Sequence, residues 1–361
     1  QFKLDGEKLL TPSTVSADQL TELSVAPNGR PFAAKTVVFF ASDGNLFSQL
    51  YEMYIDKAVE EAMPQKVTEH VPHYINGPIR WVEGSPDLDV TLLYSDTEPD
   101  TMVLYKYHVN SQEKLQSAFV KWTFTDCDRI CEPKFWRNNL VVVFRRGVHW
   151  SIEKLNLEAG QNRDIYLDRE YELSSGSYNS TTDKTTFTAP YMIPDDLNVV
   201  VRGGGTLPKG VELSATKETD YTFSVPGDHS SEHITIGTPY SSEHEFSTLF
   251  YRDSRTNDRI AITDGRTQIN SISIKYARTA YMRVKVELDG RPPVEYVFSG
   301  MIAADPDAIT GQLITDDGSF HVPVMSRNDR AKITVINDTW RPFSLISARW
   351  RGTFNPMSRE L

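Results

Sequence analysis

The chain has 361 residues, of which 39% are hydrophobic, 11% aromatic and 24% charged, with a formal net charge of −11. That length accommodates two domains, and the aromatic content excludes a disordered chain. No apolar run is long enough to cross a bilayer as a helix, and the acidic balance argues against a tight, sequence-specific nucleic-acid binder, which carries a basic face.

The start, Gln1-Phe2-Lys3, is not a signal peptide. A first residue other than Met predicts a processed or recombinant piece with further chain on its amino-terminal side. The first half then holds three variations on one unit: a nearly continuous apolar run, a short polar turn, and an alternating run. The pairs are residues 36–42 (TVVFFAS) with 48–55 (SQLYEMYI), 90–95 (VTLLYS) with 102–108 (MVLYKYH), and 140–145 (LVVVFR) with 148–155 (VHWSIEKL). A recurrence of about fifty residues is the period of propeller blades, and a buried strand followed by a half-exposed one is what a radial blade requires. Residues 73–82 are expected to add a strand ahead of the second unit, and 118–124 a strand ahead of the third. Three blades are too few to close a propeller, so the array is read as incomplete. Between the first two units, residues 56–63, ended by Pro64, are expected to form two turns of helix.

The blade pattern stops near Gly160, and the second half reads as Ser/Thr-rich short strands punctuated by Pro190, Pro194 and Pro208. Residues 185–188 are an expected short strand, residues 212–236 alternate again, and residues 278–288 read as a strand pair ahead of an Asp289-Gly290 turn. After residue 296, short alternating runs (296–298, 319–324, 332–336, 344–350) are cut by turns at Asp305-Pro306, Asp316-Asp317-Gly318, residues 326–329 and residues 337–339. That is antiparallel sheet patterning. The fold class is therefore mainly β: an incomplete, propeller-like blade array over residues 1–160, then antiparallel sandwich-type structure over residues 161–361.

Chemical signals are weak. Cys127 and Cys131 lack the second ligand pair that a zinc site needs, and read as reduced thiols. His229, Glu232, His233 and His244 are the best metal candidates, but their order is not the His-Glu-x-x-His of a metalloprotease; incidental surface histidines are the favoured reading. Gly203-Gly204-Gly205 suggests a phosphate cradle without the Lys-Ser/Thr of a P-loop, and a tight turn needing positive φ fits better. Asp195-Asp196 and Asp316-Asp317 are acid pairs beside Pro or Gly, where Asp is a turn former. Asn179 and Asn337 open glycosylation-type triplets, a motif too short and common to carry weight. No catalytic, cofactor or metal residue is assigned. From His321 onward, Arg327, Arg330, Lys332, Arg341, Arg349, Arg351 and Arg359 stand against Asp329, Asp338 and Glu360. This basic surplus in an acidic chain suggests an interface, with nucleic acid or, the favoured partner, an acidic neighbouring subunit; charges solvated on strand faces are the competing reading.

Residues 318–328 (GSFHVPVMSRN), 336–338 (IND) and 347–352 (SARWRG), with 243–251 (EHEFSTLFY) and 276–284 (YARTAYMRV), resemble the family of tail tubular protein B, the tail nozzle of short-tailed bacteriophages. In the first half the resemblance rests on residues 48–54, 114–118 with 122–124, and 149–154; residues 181–225 match weakly. What it implies is a structural virion protein rather than an enzyme, with no cofactor and no membrane span. It implies a ring of six copies below a tail adaptor ring, assembled in the host cytoplasm, with tail fibres or spikes near that junction. Double-stranded DNA would pass through without specific binding, past a wall whose acidity reduces drag. The competing expectations are a polysaccharide-degrading tail component and a receptor-binding module.

Overall fold

The computed structural model describes residues 2–4, 17–19, 23–34, 37–44, 46–56, 61–109, 114–157, 163–252, 261–300 and 313–356. The described residues form antiparallel strands and no helix, and none of them forms a helix long and apolar enough to cross a membrane. The chain divides into two compact units, Gln1–Gln161 and Asn162–Leu361.

The first unit opens with a short pair, β1 (Phe2–Leu4) and β2 (Ala17–Gln19), and continues as three consecutive antiparallel meanders. The first contains β3 (Phe32–Ala34), β4 (Val37–Ser42), β5 (Phe47–Asp56) and β6 (Glu61–Lys66), with β7 (Ile75–Asn76) added to β5. The second contains β8 (Ile79–Ser85), β9 (Val90–Ser95), β10 (Thr101–Val109) and β11 (Lys114–Thr123); the third contains β12 (Arg129–Trp136), β13 (Asn139–Arg146) and β14 (His149–Asn156). Two apolar layers separate the meanders. Phe39, Ala41 and Leu50 of the first sheet pack with Leu93, Val103, Tyr105 and Tyr107 of the second. Leu92, Tyr94, Met102 and Leu104, on the second sheet's other face, pack with Ile130, Leu140, Val142 and Phe144 of the third. All six residues of β9 are consequently buried, as are residues 101–105 of β10, which explains why both strands carry nearly continuous apolar runs. A partly buried ion pair also links the first two sheets: Lys114 Nζ lies 2.6 Å from Glu52 Oε1.

Gly84 marks a close approach between the first two sheets. A Cβ there would lie 2.4 Å from Phe32 Cε1 and 2.8 Å from the Val90 carbonyl oxygen. Gly84→Ala is expected to destabilise the first unit by about 1–3 kcal/mol through overpacking, measured as a lower denaturant midpoint with an unchanged slope.

In the second unit, β15 (Asp168–Leu173), β16 (Ser177–Asn179), β17 (Lys184–Thr188), β18 (Asn198–Val201), β19 (Glu212–Leu213), β20 (Thr216–Lys217), β21 (Thr222–Pro226) and β22 (Ile234–Thr238) form two sheets, ordered β15-β22-β18-β19 and β16-β17-β21-β20. Phe187, Phe223 and Val225 from one sheet meet Val199, Val201, Ile234 and Ile236 from the other. A second sandwich follows, from β23 (Ser242–Glu245), β24 (Gly265–Thr279), β25 (Tyr281–Leu288), β26 (Val294–Ser299), β27 (Asp316–Arg327), β28 (Ala331–Asn337) and β29 (Leu345–Pro356), in sheets ordered β23-β28-β25-β26 and β27-β24-β29. Its core gathers Ile272, Ile274, Met282, Val284, Val322 and Val335. Trp340, 1% exposed, joins the two sandwiches, packing with Ile165, Leu167, Val200 and Leu313. Its carbonyl accepts the Tyr166 N–H at 2.8 Å, and its indole N–H donates to Glu212.

Three sequence expectations are corrected. No helix occupies residues 56–63 as far as they are described: Asp56 ends β5, Glu61 opens β6, and the two pair directly, so hairpin registry overrides helix propensity. Residues 57–60 lie outside the described residues, as does the expected Asp305-Pro306 turn. Residues 118–124 form the expected strand but do not join the third sheet; β11 pairs with β10 and completes the second. Asp316-Asp317-Gly318 is not a turn but the start of β27. There the pairing with β24 is irregular between Tyr276 and Thr279. Asp316 accepts from Tyr276 Oη at 3.1 Å and Asp317 accepts from the Arg278 amide, so both carboxylates satisfy a bulge instead of a reversal.

Candidate functional site

The residues with the strongest chemical look are used internally. Glu232 is fully buried on the loop before β22. Its Oε1 accepts from Thr206 N at 2.7 Å, Thr206 Oγ1 at 2.7 Å and Leu207 N at 3.0 Å. Burial alone would raise its pKa, but these hydrogen bonds and the nearby His229 hold it below the usual value. The loop that supplies the donors begins at Gly203 and Gly204, with φ of +87° and +102°. A Cβ on Gly205 would lie 2.4 Å from the Glu232 carboxyl carbon. The glycine run is therefore the tight turn that needs positive φ, and the Thr206 and Leu207 donors that follow it hold the chain's own Glu232.

The histidines do not converge. His229 Nε2 is 2.9 Å from the Pro226 carbonyl, His233 is exposed beside Gly204, and His244 is exposed with its ring edge-on to Phe246. Among the described residues no group of three His, Cys, Asp or Glu side chains is placed to hold a metal ion. Asp195 pairs with Lys217 at 3.0 Å. Asn337 is buried, with its amide donating to the Arg341 carbonyl at 2.8 Å, and Asn179 accepts the Thr181 N–H; both serve local turns.

Cys127 and Cys131 are free thiols. Burial pushes the Cys127 thiol up to about 11 from an ordinary 9.0, against the opposing pull of Arg146. At pH 8 its alkylation by iodoacetamide is expected to run about a hundredfold slower in the folded chain than in urea, because only the thiolate reacts; mass spectrometry of timed quenches reads this directly.

The basic carboxy-terminal residues lie largely in the second sandwich, whose two outer faces differ in charge. On the β23-β28-β25-β26 sheet, cations and carboxylates neutralise one another. Arg283 contacts Glu295 and Asp338, each at 2.7 Å; Lys285 pairs with Glu287 at 2.8 Å and Lys332 with Glu245 at 2.9 Å. On the β27-β24-β29 sheet, Cα partners share a face. Ser273 stands between His321 and Arg349, Ser271 between Pro323 and Arg351, and Lys275 between Ser319 and Ser347. Arg266 pairs with Asn355 further along the same face. Arg266, Lys275, Arg349 and Arg351 are all exposed, and among the described residues none has an ion-pair partner. The sequence count found the surplus but not this sorting, because Arg266 and Lys275 lie well before residue 321 and join the others only through strand register.

Comparison with known proteins places the chain. The family model described as bacteriophage nozzle protein matches residues 1–361. Tail tubular protein gp12 of Escherichia phage T7 is 20% identical over 368 residues, covering 98% of this chain and 46% of the relative. The chain thus spans about half the length of the curated relative it matches. Among solved structures, an exo-β-1,3-galactanase from Phanerochaete chrysosporium aligns over 96% of this chain and 98% of its own, at 8% identity and a TM-score of 0.24. A fructofuranosidase from Schwanniomyces occidentalis aligns over 90% and 94%, at 9% identity and a TM-score of 0.16. Scores this low carry no argument about fold or activity. The whole-chain family match does carry one: the chain belongs to the bacteriophage nozzle protein family, and with it to the structural proteins of the phage tail.

Proposed function

We propose that this chain forms part of a tubular tail nozzle: six copies ring the tail axis on an adaptor ring, tail fibres or spikes attach near that junction, and the genome leaves through the centre. The observation that carries the proposal is the family match along all 361 residues. Physical support comes from two sources. The two units are built from antiparallel sheets packed face to face, a rigid material for a pressurised conduit, and a closed ring satisfies its interfaces by symmetry. The net charge of −11 opposes tight capture of a passing polyanion. The role is mechanical, and the chain acts without enzymatic chemistry.

The first unit is proposed to be a segment of a larger propeller. Three stacked meanders leave the outward face of the third uncovered: Trp150 is 60% and Ile152 76% exposed, and they pair with Arg145 and Val143. A further blade from the rest of the full-length protein would cover that face.

The test is electron microscopy of the full-length protein mixed with its own phage's adaptor ring. A six-fold tube continuing the adaptor's channel is the expected outcome. A monomer that ignores the adaptor refutes the proposal. New reducing ends from host capsule polysaccharide incubated with the purified protein would refute the non-enzymatic part.

A further inference from the structure

We propose that the outer face of the β27-β24-β29 sheet is a contact surface for the phosphodiester backbone of duplex DNA. The proposal rests on the nozzle reading for the identity of the polyanion, and on the sheet itself for everything else.

Arg349 and Arg351 are two positions apart on one strand, hence about 7 Å apart on one face. Lys275 and Arg266 stand on the adjacent central strand. Four exposed cations at such spacings repel one another, and among the described residues none has a carboxylate partner to offset that cost. Among the described residues, the carboxylates of this face lie at its ends: Asp317 accepts the Arg278 amide, and Asp329 pairs with Arg327 at 2.6 Å. The opposite sheet shows that this sandwich accommodates a carboxylate beside each of Arg283, Lys285 and Lys332. On the basic face, the counter-charge is left to come from outside.

The groups between the cations select the kind of anion. Ser273, Ser319, Ser347, Thr353 and Gln268 lie on the same face by register. Hydroxyls and amides beside Arg and Lys are the side chains that meet phosphate and sugar oxygens in nucleic-acid complexes. A protein-binding surface is centred on aromatic or large apolar anchors. Here the exposed apolar side chains, Pro323 and Met325 on β27 and Ile346 near the start of β29, sit on the two flanking strands, and no aromatic side chain points outward from the three strands. The strands also offer nothing that projects into a groove, so the contact reads backbone charge and not base sequence. Four cations against a net charge of −11 make the contact weak and reversible, suited to a duplex in motion.

The experiment measures anisotropy of a labelled random-sequence duplex of about thirty base pairs against the full chain over a salt series, with polyglutamate as a second ligand. The wild type is expected to bind the duplex at low salt, with log K falling against log salt at a slope of about −3 to −4. The double variant R349S/R351S should lose about two from that slope and about tenfold or more in affinity. The variant K154S/K332S removes the same charge elsewhere and should stay within about twofold of wild type. Equal urea midpoints for all three chains establish that folding is intact. Absence of duplex binding at low salt, equal losses in both variants, or tighter binding of polyglutamate than of duplex each overturn the proposal. Tube assembly on the adaptor, scored with the same preparations, separates the two readings: a six-fold tube without DNA binding sinks only this inference, whereas failure to form a tube sinks the nozzle reading.

Discussion

Trp340→Ala lowers the stability of the second unit by about 3–5 kcal/mol, the cost of deleting a buried large aromatic and leaving a cavity. Trp340 is the side chain common to both sandwiches: Ile165, Leu167 and Val200 hold it from one, and its own segment between β28 and β29 carries it from the other. The deletion also strips Glu212 of its indole donor. Phenylalanine in its place should recover most of the packing but not that hydrogen bond, so Trp340→Phe is expected to cost about 1–2 kcal/mol. Urea unfolding followed by near-ultraviolet circular dichroism measures both. A loss below about 1 kcal/mol for the alanine variant would mean that the sandwiches are held together by something other than this residue.

Glu232→Ala removes the acceptor for three donors at once, and is expected to cost about 3 kcal/mol, since buried N–H groups left unpaired bear the full cost of lost hydration. The acid dependence follows from the same bonds. The folded carboxyl titrates below its ordinary 4.5, so ionised Glu232 stabilises the fold at neutral pH. That contribution drains away as pH falls from about 4.5 through the folded pKa. Glu232→Gln separates the terms. Its carbonyl can still accept from Thr206 and Leu207, while its amide occupies the position of Oε2, an oxygen without a hydrogen-bond partner among the described residues. The glutamine variant should therefore lose about half as much as alanine at pH 7, and show a flatter stability profile below pH 4.5. Parallel acid-loss curves for wild type and glutamine variant would remove Glu232 from the acid response.

How much of this was legible in the sequence depends on whether a feature is local. The strand pairs of the first unit stood out because each inner strand is a nearly continuous apolar run, a local pattern that tertiary context does not alter. The residue 56–63 segment misled because its helix-forming residues sit at a hairpin, where cross-strand registry sets the backbone. The Asp316-Asp317-Gly318 segment misled because turn-forming carboxylates serve equally well at a bulge. The Glu232 contact was half visible: the glycine turn and Glu232 were each singled out, but not for each other. Their complementarity depends on a contact across 27 positions of sequence, which no local pattern encodes. The same holds for the basic face, where Ser273 brings His321 and Arg349 into one row only through the register of three strands.

The burial of β9 on both sides has a further consequence. A layered stack in which one member is sealed above and below has a built-in order of opening. Amide protons of Val90–Ser95 should exchange last, on the timescale of global unfolding, while those of β14, with Trp150 and Ile152 open to solvent, should exchange first. Such a gradient gives the first unit an anchored centre and a labile margin, so that whatever docks on that margin would be reinforced by the stack and would in turn stiffen it.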